Sequence, residues 1–154
     1  MQKRSLSVNY GGQFYAGFAF ADLPLGAALR VAIEQIDQAA DAARAAVLVD
    51  PLRALEYERT AVEARAFAAA GYAGEVPLSV QAWADAAELT AQQSADSILV
   101  EVNAWEAALY AIRAQRLKGK QQVLKATSHD DAEALTDATI TAIRASVEGV
   151  GSAA

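Results

Sequence analysis

Residues 25–49 read LGAALRVAIEQIDQAADAARAAVLV and place Leu29, Ile33, Ile36, Ala40, Ala43 and Val47 at successive steps of 4, 3, 4, 3 and 4. That spacing is one stripe of an α-helix; a strand, with its period of two, cannot gather those side chains on one face. The same steps recur downstream in Ala91, Ala95, Ile98, Val102, Trp105, Leu109 and Ile112. Thr90-Ala-Gln-Gln93 precedes this second stripe as a capping box. The helix it opens either frays near Gly119 or continues weakly through Val123 and Leu124.

Outward from these two helices, punctuation sets the remaining elements. Asp50-Pro51 closes the first helix and starts another, because Asp caps well and Pro suits the first helical position. That helix runs from about Leu52 to Ala70 and stops at Gly71, with Gly74 and Pro77 beyond it. Two helices so joined predict a helical hairpin. Ser79 opens a short helix, Val80 to Glu88, that carries Trp83. Ser128-His-Asp-Asp131 caps the last helix, which reaches about Glu148 with Ile140, Ile143 and Val147 inward. Gly149 and Gly151 fall in a small-residue tail.

Only the first segment departs from the helical period. Leu6, Val8 and Tyr10, then Phe14, Ala16, Phe18 and Phe20, alternate on either side of Gly11-Gly12, which predicts a short β-hairpin or an extended arm. Five of the eleven aromatic residues fall within residues 10–20. A lone two-stranded hairpin is marginal in water, so these rings must land on the protein's own helices or on another subunit. The fold expectation is mainly α: an Ala-rich helical hairpin or bundle with a short N-terminal β-hairpin or extended aromatic arm. Its expected parts are an arm at 1–24, a helical hairpin at 25–75 and a helical domain at 76–154.

Composition narrows function by exclusion. The chain has 154 residues, a formal net charge of −6, one His and no Cys. The length suits one domain with its own core. The lack of Cys removes disulfides, thiolate metal sites and Cys nucleophiles. About a quarter of the residues are Ala, which suits closely approaching helices. Met1-Gln-Lys-Arg4 is followed by too polar a stretch for a signal peptide, and charges interrupt every apolar run well short of the roughly 18–20 residues a membrane span needs. The net charge opposes binding to nucleic acid and to anionic membranes.

Reactive constellations fail one by one. His129 sits in a cap, where consecutive Ser-His-Asp residues cannot converge as a catalytic triad. Asp130, Asp131 and Glu133 lack the alternation and central Gly of a calcium loop. Gly11-Gly12 and Gly17 do not form a dinucleotide fingerprint. Carboxylate neighbours such as Glu56 and Glu58 point to water. Residues 80–100 imitate a helix-turn-helix, yet Gln92, Gln93 and Asp96 occupy the recognition face, and no cation appears before Arg113. The reading assigns no catalytic, cofactor-binding or metal-binding residue and expects no enzyme, no cofactor, no nucleic-acid partner and no membrane.

Charge is unevenly spread. Arg113, Arg116, Lys118, Lys120 and Lys125 fall between Ala107 and His129 with no carboxylate, which leaves eight cations against all nineteen carboxylates elsewhere. Cations near a helix C-terminus complement its dipole. An acidic surface, from another subunit or from the protein's own helices, is a second reading; nucleic acid is a third, opposed by the lone aromatic Tyr110 and by the acidic remainder of the chain. The two stripes likewise serve an intramolecular bundle or a homotrimeric or homodimeric association.

Several blocks carry a family resemblance. Asp50-Pro-Leu-Arg-Ala-Leu-Glu-Tyr57, Ala66-Phe-Ala-Ala-Ala-Gly-Tyr72 and Val76-Pro-Leu-Ser-Val-Gln-Ala-Trp83 resemble small helical tail proteins of tailed bacteriophages, encoded near tail-fibre and baseplate genes. So do Thr90-Ala-Gln-Gln-Ser-Ala-Asp-Ser-Ile-Leu99 and Ala108-Leu-Tyr-Ala-Ile-Arg-Ala-Gln-Arg-Leu-Lys118. The likeness spans about residues 50–148 and leaves residues 1–24 outside. It implies a structural tail component in the virion, made in the host cytoplasm, with other tail proteins as partners and a homo-oligomeric state. A tail-fibre assembly chaperone is the alternative it allows; a helical DNA-binding regulator follows at a distance. The candidate interface residues are Tyr10, Phe14, Phe18, Phe20, Trp83, Trp105, Arg113, Arg116, Lys118 and Lys120.

Overall fold

A computed structural model describes residues 1–48 and 51–150, without the side chains of Leu48, Pro51, Leu52 and Arg53. The expected Asp50 cap and the Gly151 tail lie outside the described residues. The chain is mainly α. Strands β1 (Leu6–Tyr10) and β2 (Gln13–Phe18) lead through a 3-10 turn at Phe20–Asp22 to α1 (Leu25–Leu48), α2 (Pro51–Ala69), α3 (Leu78–Ala87), α4 (Ala91–Val123) and α5 (His129–Ala145).

These elements make two compact units, and their boundaries differ from those expected at 24 and 75. One unit comprises residues 1–46 and 109–148; the other comprises residues 47–108 and 149–154. Residues 1–24 are therefore not a separate arm. The reason is burial: Leu6, Val8, Phe20 and Leu23 join one apolar cluster with α1, with Ile112 and Val123 of α4, and with Ala132 and Ile143 of α5.

The hairpin itself corrects the alternation expected from Phe14 to Phe20. Val8 pairs with Tyr15 and Asn9 with Phe14, but the register shifts between Leu6 and Ser7, so that Leu6 faces Phe18 and Ser7 faces Ala16. Gly17, at φ +77°, sits in the irregular stretch. A bulge residue there lets Tyr15 and Phe18 share a face despite their odd spacing, and their rings meet edge-on with centroids 5.6 Å apart. Phe14 is left on the opposite face, in solvent.

In α1 the buried face is set by small residues. Ala27, Ala28, Val31, Ala32, Ile36, Ala40 and Ala43 are buried, whereas Leu29 and Ile33 pack at the margin. The expected stripe is thus rotated towards alanines, which permit closer helix approach than Leu or Ile would. Gly119 does the same on α4. It lies inside the helix instead of fraying it, and a Cβ added there would fall 2.2 Å from Cγ2 of Thr139 on α5. Ser128 caps α5 as expected, with its Oγ accepting from the Asp131 amide at 3.1 Å. The helix ends at Ala145, three residues short of the expected Glu148.

The second unit has a smaller core of Ala64, Phe67, Val80, Ala95 and Ile98. Helix α2 ends as expected at Gly71, and both Gly71 and Tyr72 take positive φ. The Thr90 box is reciprocal: the Gln93 amide donates to Thr90 Oγ1 at 3.2 Å, and the Thr90 amide donates to Gln93 Oε1 at 3.0 Å. Buried Ser94 donates its hydroxyl to the Val80 carbonyl at 2.7 Å, tying α4 to α3.

Gly119→Ala is expected to destabilise the fold by about 1–3 kcal/mol through overpacking, the opposite of the gain usually seen when Gly in a helix becomes Ala. Adding Thr139→Ala should recover most of that loss in thermal melts. Phe20→Ala is expected to cost about 3–5 kcal/mol, as for a buried aromatic in a core. An unchanged midpoint in chemical denaturation would place the hairpin outside the core.

Candidate functional site

The two units distribute the candidate residues very differently. On the hairpin, Phe14 and Phe18 expose much of their rings. Tyr10 is only partly free: its hydroxyl lies where a Cβ on Gly26 would come within 2.0 Å, so the ring covers the first turn of α1 through the space that glycine leaves. Phe20 is 2% exposed and is corrected from interface to core. Its ring meets the edge of His129 at a centroid distance of 5.9 Å, and His129 Nε2 lies 2.9 Å from the Leu23 carbonyl oxygen. His129 is thus a half-buried clasp between the start of α5 and the segment before α1, and not the solvated cap its sequence context implies.

Two of the four candidate cations are spent within the fold. Asp37 on α1 accepts from Arg116 Nη1 at 2.9 Å and from Lys120 Nζ at 2.6 Å, both one helical turn apart on α4. Burial raises the Asp37 carboxyl, but the hydrogen bonds and charges of Lys120 and Arg116 outweigh it and hold the group below the usual carboxylate range. For Arg116 and Lys120, the acidic surface left open by the sequence is the protein's own α1. Arg113 and Lys118 are exposed, with no ion-pair partner among the described residues.

In the second unit, Trp83 remains partly exposed and donates from Nε1 to Ser97 Oγ at 2.8 Å. Trp105 is half-buried. It lines a groove of about 330 Å³ between α2 and α4, whose apolar walls include Leu55, Tyr57, Val62 and Val102. Leu55, Tyr57 and Val62 are all exposed, although α2 already buries Ala61, Ala64 and Phe67. Helix α2 therefore carries apolar side chains on more than one face, and its seam is not a single stripe. An ion pair between Arg65 Nη2 and Glu106 Oε1, 2.7 Å apart, joins the two helices at the groove.

The remaining polar groups of this unit pin elements together. Glu63 accepts from Ser79 Oγ at 2.6 Å and, more weakly, from its amide at the start of α3. The Ser79 hydroxyl and Arg59 together lower the Glu63 carboxyl. The Tyr72 hydroxyl donates to Asp96 at 2.6 Å, which raises its own ionisation range. Among the described residues, no three His, Cys, Asp or Glu side chains group as metal ligands.

The sequence reading missed Leu55, Tyr57 and Val62. Their signal was present as apolar residues on α2 outside the Ala61–Ala64–Phe67 face, but Ala-rich flanks hid which face was inward. No protein-family model, no curated protein and no solved structure matches this chain.

The lowered Asp37 pKa fixes a pH window. Its ion-paired form stabilises the fold above the unfolded carboxyl value near ~3.9, and that contribution is lost as pH falls through the lower folded value. Asp37→Asn is expected to cost about 1 kcal/mol at pH 7, discounted for solvent screening. The difference from the parent chain should shrink as pH falls through the lowered folded value of the Asp37 carboxyl; denaturation midpoints from neutral to acid pH measure it.

Proposed function

We propose that this chain is a structural component of a bacteriophage tail, associated with a tail fibre or baseplate, and that it works through protein–protein interfaces in the virion. The observation that carries the reading is the α2–α4 groove. Leu55, Tyr57 and Val62 are exposed beside half-buried Trp105, and clustered apolar surface of this kind marks interaction sites, whereas singly scattered apolar residues carry no such meaning. Aromatic anchors seated in a groove are also the side chains that dominate interface energetics. The resemblance of residues 50–148 to small helical tail proteins supplies the setting, and it covers α2, α3 and α4. Other tail proteins are the partners on this reading, with no catalytic step and no cofactor.

Quantitative mass spectrometry of purified particles tests the setting: the chain is expected at fixed stoichiometry with tail proteins. Abundance in infected cells combined with absence from particles would replace this reading with that of an assembly chaperone. Leu55→Asp with Val62→Asp is expected to change the unfolding free energy by no more than about 0.5 kcal/mol per site, as for exposed positions, while lowering incorporation at least tenfold. Full incorporation of the doubly charged variant would remove the groove from the assembly surface.

A further inference from the structure

The groove between α2 and α4 lies in a unit of unbalanced charge. Residues 47–108 of that unit carry ten carboxylate side chains and three arginines. Two of the arginines are already neutralised beside the groove: Arg65 by Glu106, and Arg59 by Glu63 at 3.0 Å. Even with all three counted as free, carboxylates outnumber them about three to one. Glu58, in the groove lining, and Glu101, one turn before Trp105 on α4, are both exposed and have no ion-pair partner among the described residues. The groove is thus apolar in its lining and negative at its margin.

We propose that this groove takes an amphipathic helix of a partner protein, with Lys or Arg on both flanks of an apolar stripe. The walls select a helix. Both are α-helices, whose backbone groups are bonded within the helix, so an extended segment would find no strand edge to pair with. A helix satisfies its own backbone and needs only side-chain contacts, which is the helix-in-groove mode of recognition. Leu55 and Val62 stand seven residues apart, about 10.5 Å along α2 at 1.5 Å per residue. The same distance separates positions i and i+7 in the apolar stripe of an occupant laid along α2. The groove volume of about 330 Å³ suits such side chains and not a bulky folded surface; it lies at the low end of the roughly 300–1,000 Å³ of ligand sites.

Charge sets the sign of the partner. Glu58 belongs to one wall and Glu101 to the other, so a helix laid between them meets a carboxylate on each flank. Cations at both edges of its apolar stripe complement that pair. Exposed ion pairs contribute little each, and their main effect is to select the right partner and speed its arrival. The same field repels phosphate, which sets nucleic acid and anionic membranes aside as occupants. This inference rests on the groove being the assembly surface, and it names the chemistry of what fills that groove. Its test uses purified full-length chain and a synthetic helix, so it fails or stands separately from the virion setting.

Because the chain has two Trp, Trp83→Phe leaves Trp105 as a lone fluorescent reporter in the groove wall. The probe is a synthetic peptide of about 18 residues, five helical turns, with Leu at steps of 3 and 4 and Lys on both flanks. Adding it to the full-length W83F chain is expected to shift Trp105 emission to the blue, with saturation. The same peptide with Glu in place of Lys should bind at least tenfold more weakly. Glu58→Lys with Glu101→Lys should reverse that preference. Leu55→Asp with Val62→Asp should abolish binding of the Lys peptide and leave helical circular dichroism unchanged. No binding of the Lys peptide, or equal affinity for the two peptides, would overturn the proposal. So would Lys-peptide binding that survives L55D/V62D, the mark of a polycation on an acidic surface. Self-association of the parent chain that is lost in E58K/E101K would overturn it too, by giving the groove to a second copy.

Discussion

Close approach between helices is the constraint on which the unit of residues 1–46 and 109–148 depends, and it is met by leaving side chains out. The inward face of α1 is largely alanine, and the contact of α4 with α5 is made over Gly119, where Thr139 occupies the place a Cβ would take. Alanine buries little apolar area, and at roughly 25 cal/mol per Å² such a face contributes less than a leucine seam of equal length. What it permits instead is near contact of backbones and many weak dispersion interactions at short range. The larger side chains Phe20, Ile36, Ile112 and Ile143 then fill the remaining volume, all at 2% exposure or less. Because one of them comes from the segment between the hairpin and α1, the hairpin cannot be detached from this core without opening it.

Polar pairs act in the same unit as orientation devices more than as sources of stability. Asp37 holds Arg116 and Lys120 on successive turns of α4, which sets the rotation of that helix against α1. A pair this accessible to water contributes modestly, but its geometry permits only one α4 face to look inward. In the unit containing residues 47–108, Ser94, Ser79, Trp83 and Tyr72 play comparable parts through hydrogen bonds between sequentially distant positions. That unit has few large buried residues, and it leaves Leu55, Tyr57, Val62 and Val100 outside.

Local chemistry was the readable part of this sequence. The Thr90 and Ser128 caps, and the Gly71 stop, need only residues within one turn of one another, and each forms as its spacing demands. The helical class followed from stripes of 3 and 4. Rotation of those stripes did not, because alanine on every side makes several faces nearly equivalent: α1 turns Ala28 and Ala32 inward where Leu29 and Ile33 looked the stronger choice. The bulge near Gly17 was equally hidden, since one inserted residue reverses the facing of all that follow. Of the two readings open at Gly119, fraying or continuation through Val123, the helix takes the second; a propensity argument treats glycine only as a weakness, whereas here its missing Cβ is the contact. Of the ten candidate interface residues, Phe20 proved to be core, and Arg116 and Lys120 are ion-paired to Asp37 within the fold. Pairing between residues some 80 positions apart leaves no trace in local spacing.

The ambiguity that defeated the rotation argument also bears on what such a chain can do. A helix whose apolar residues are confined to one stripe is finished once that stripe is covered. Helices α2 and α4 are not of that kind: each buries one set of small or branched residues and carries a second set, Leu55 with Val62 and Val100 through Leu124, facing water. Exposed leucine, tyrosine and valine leave apolar surface in contact with water, a cost the buried faces of the same helices do not carry. Small buried residues and large exposed ones are thus two sides of one arrangement: alanine and glycine suffice for the internal crossings, and the bulky side chains remain in solvent.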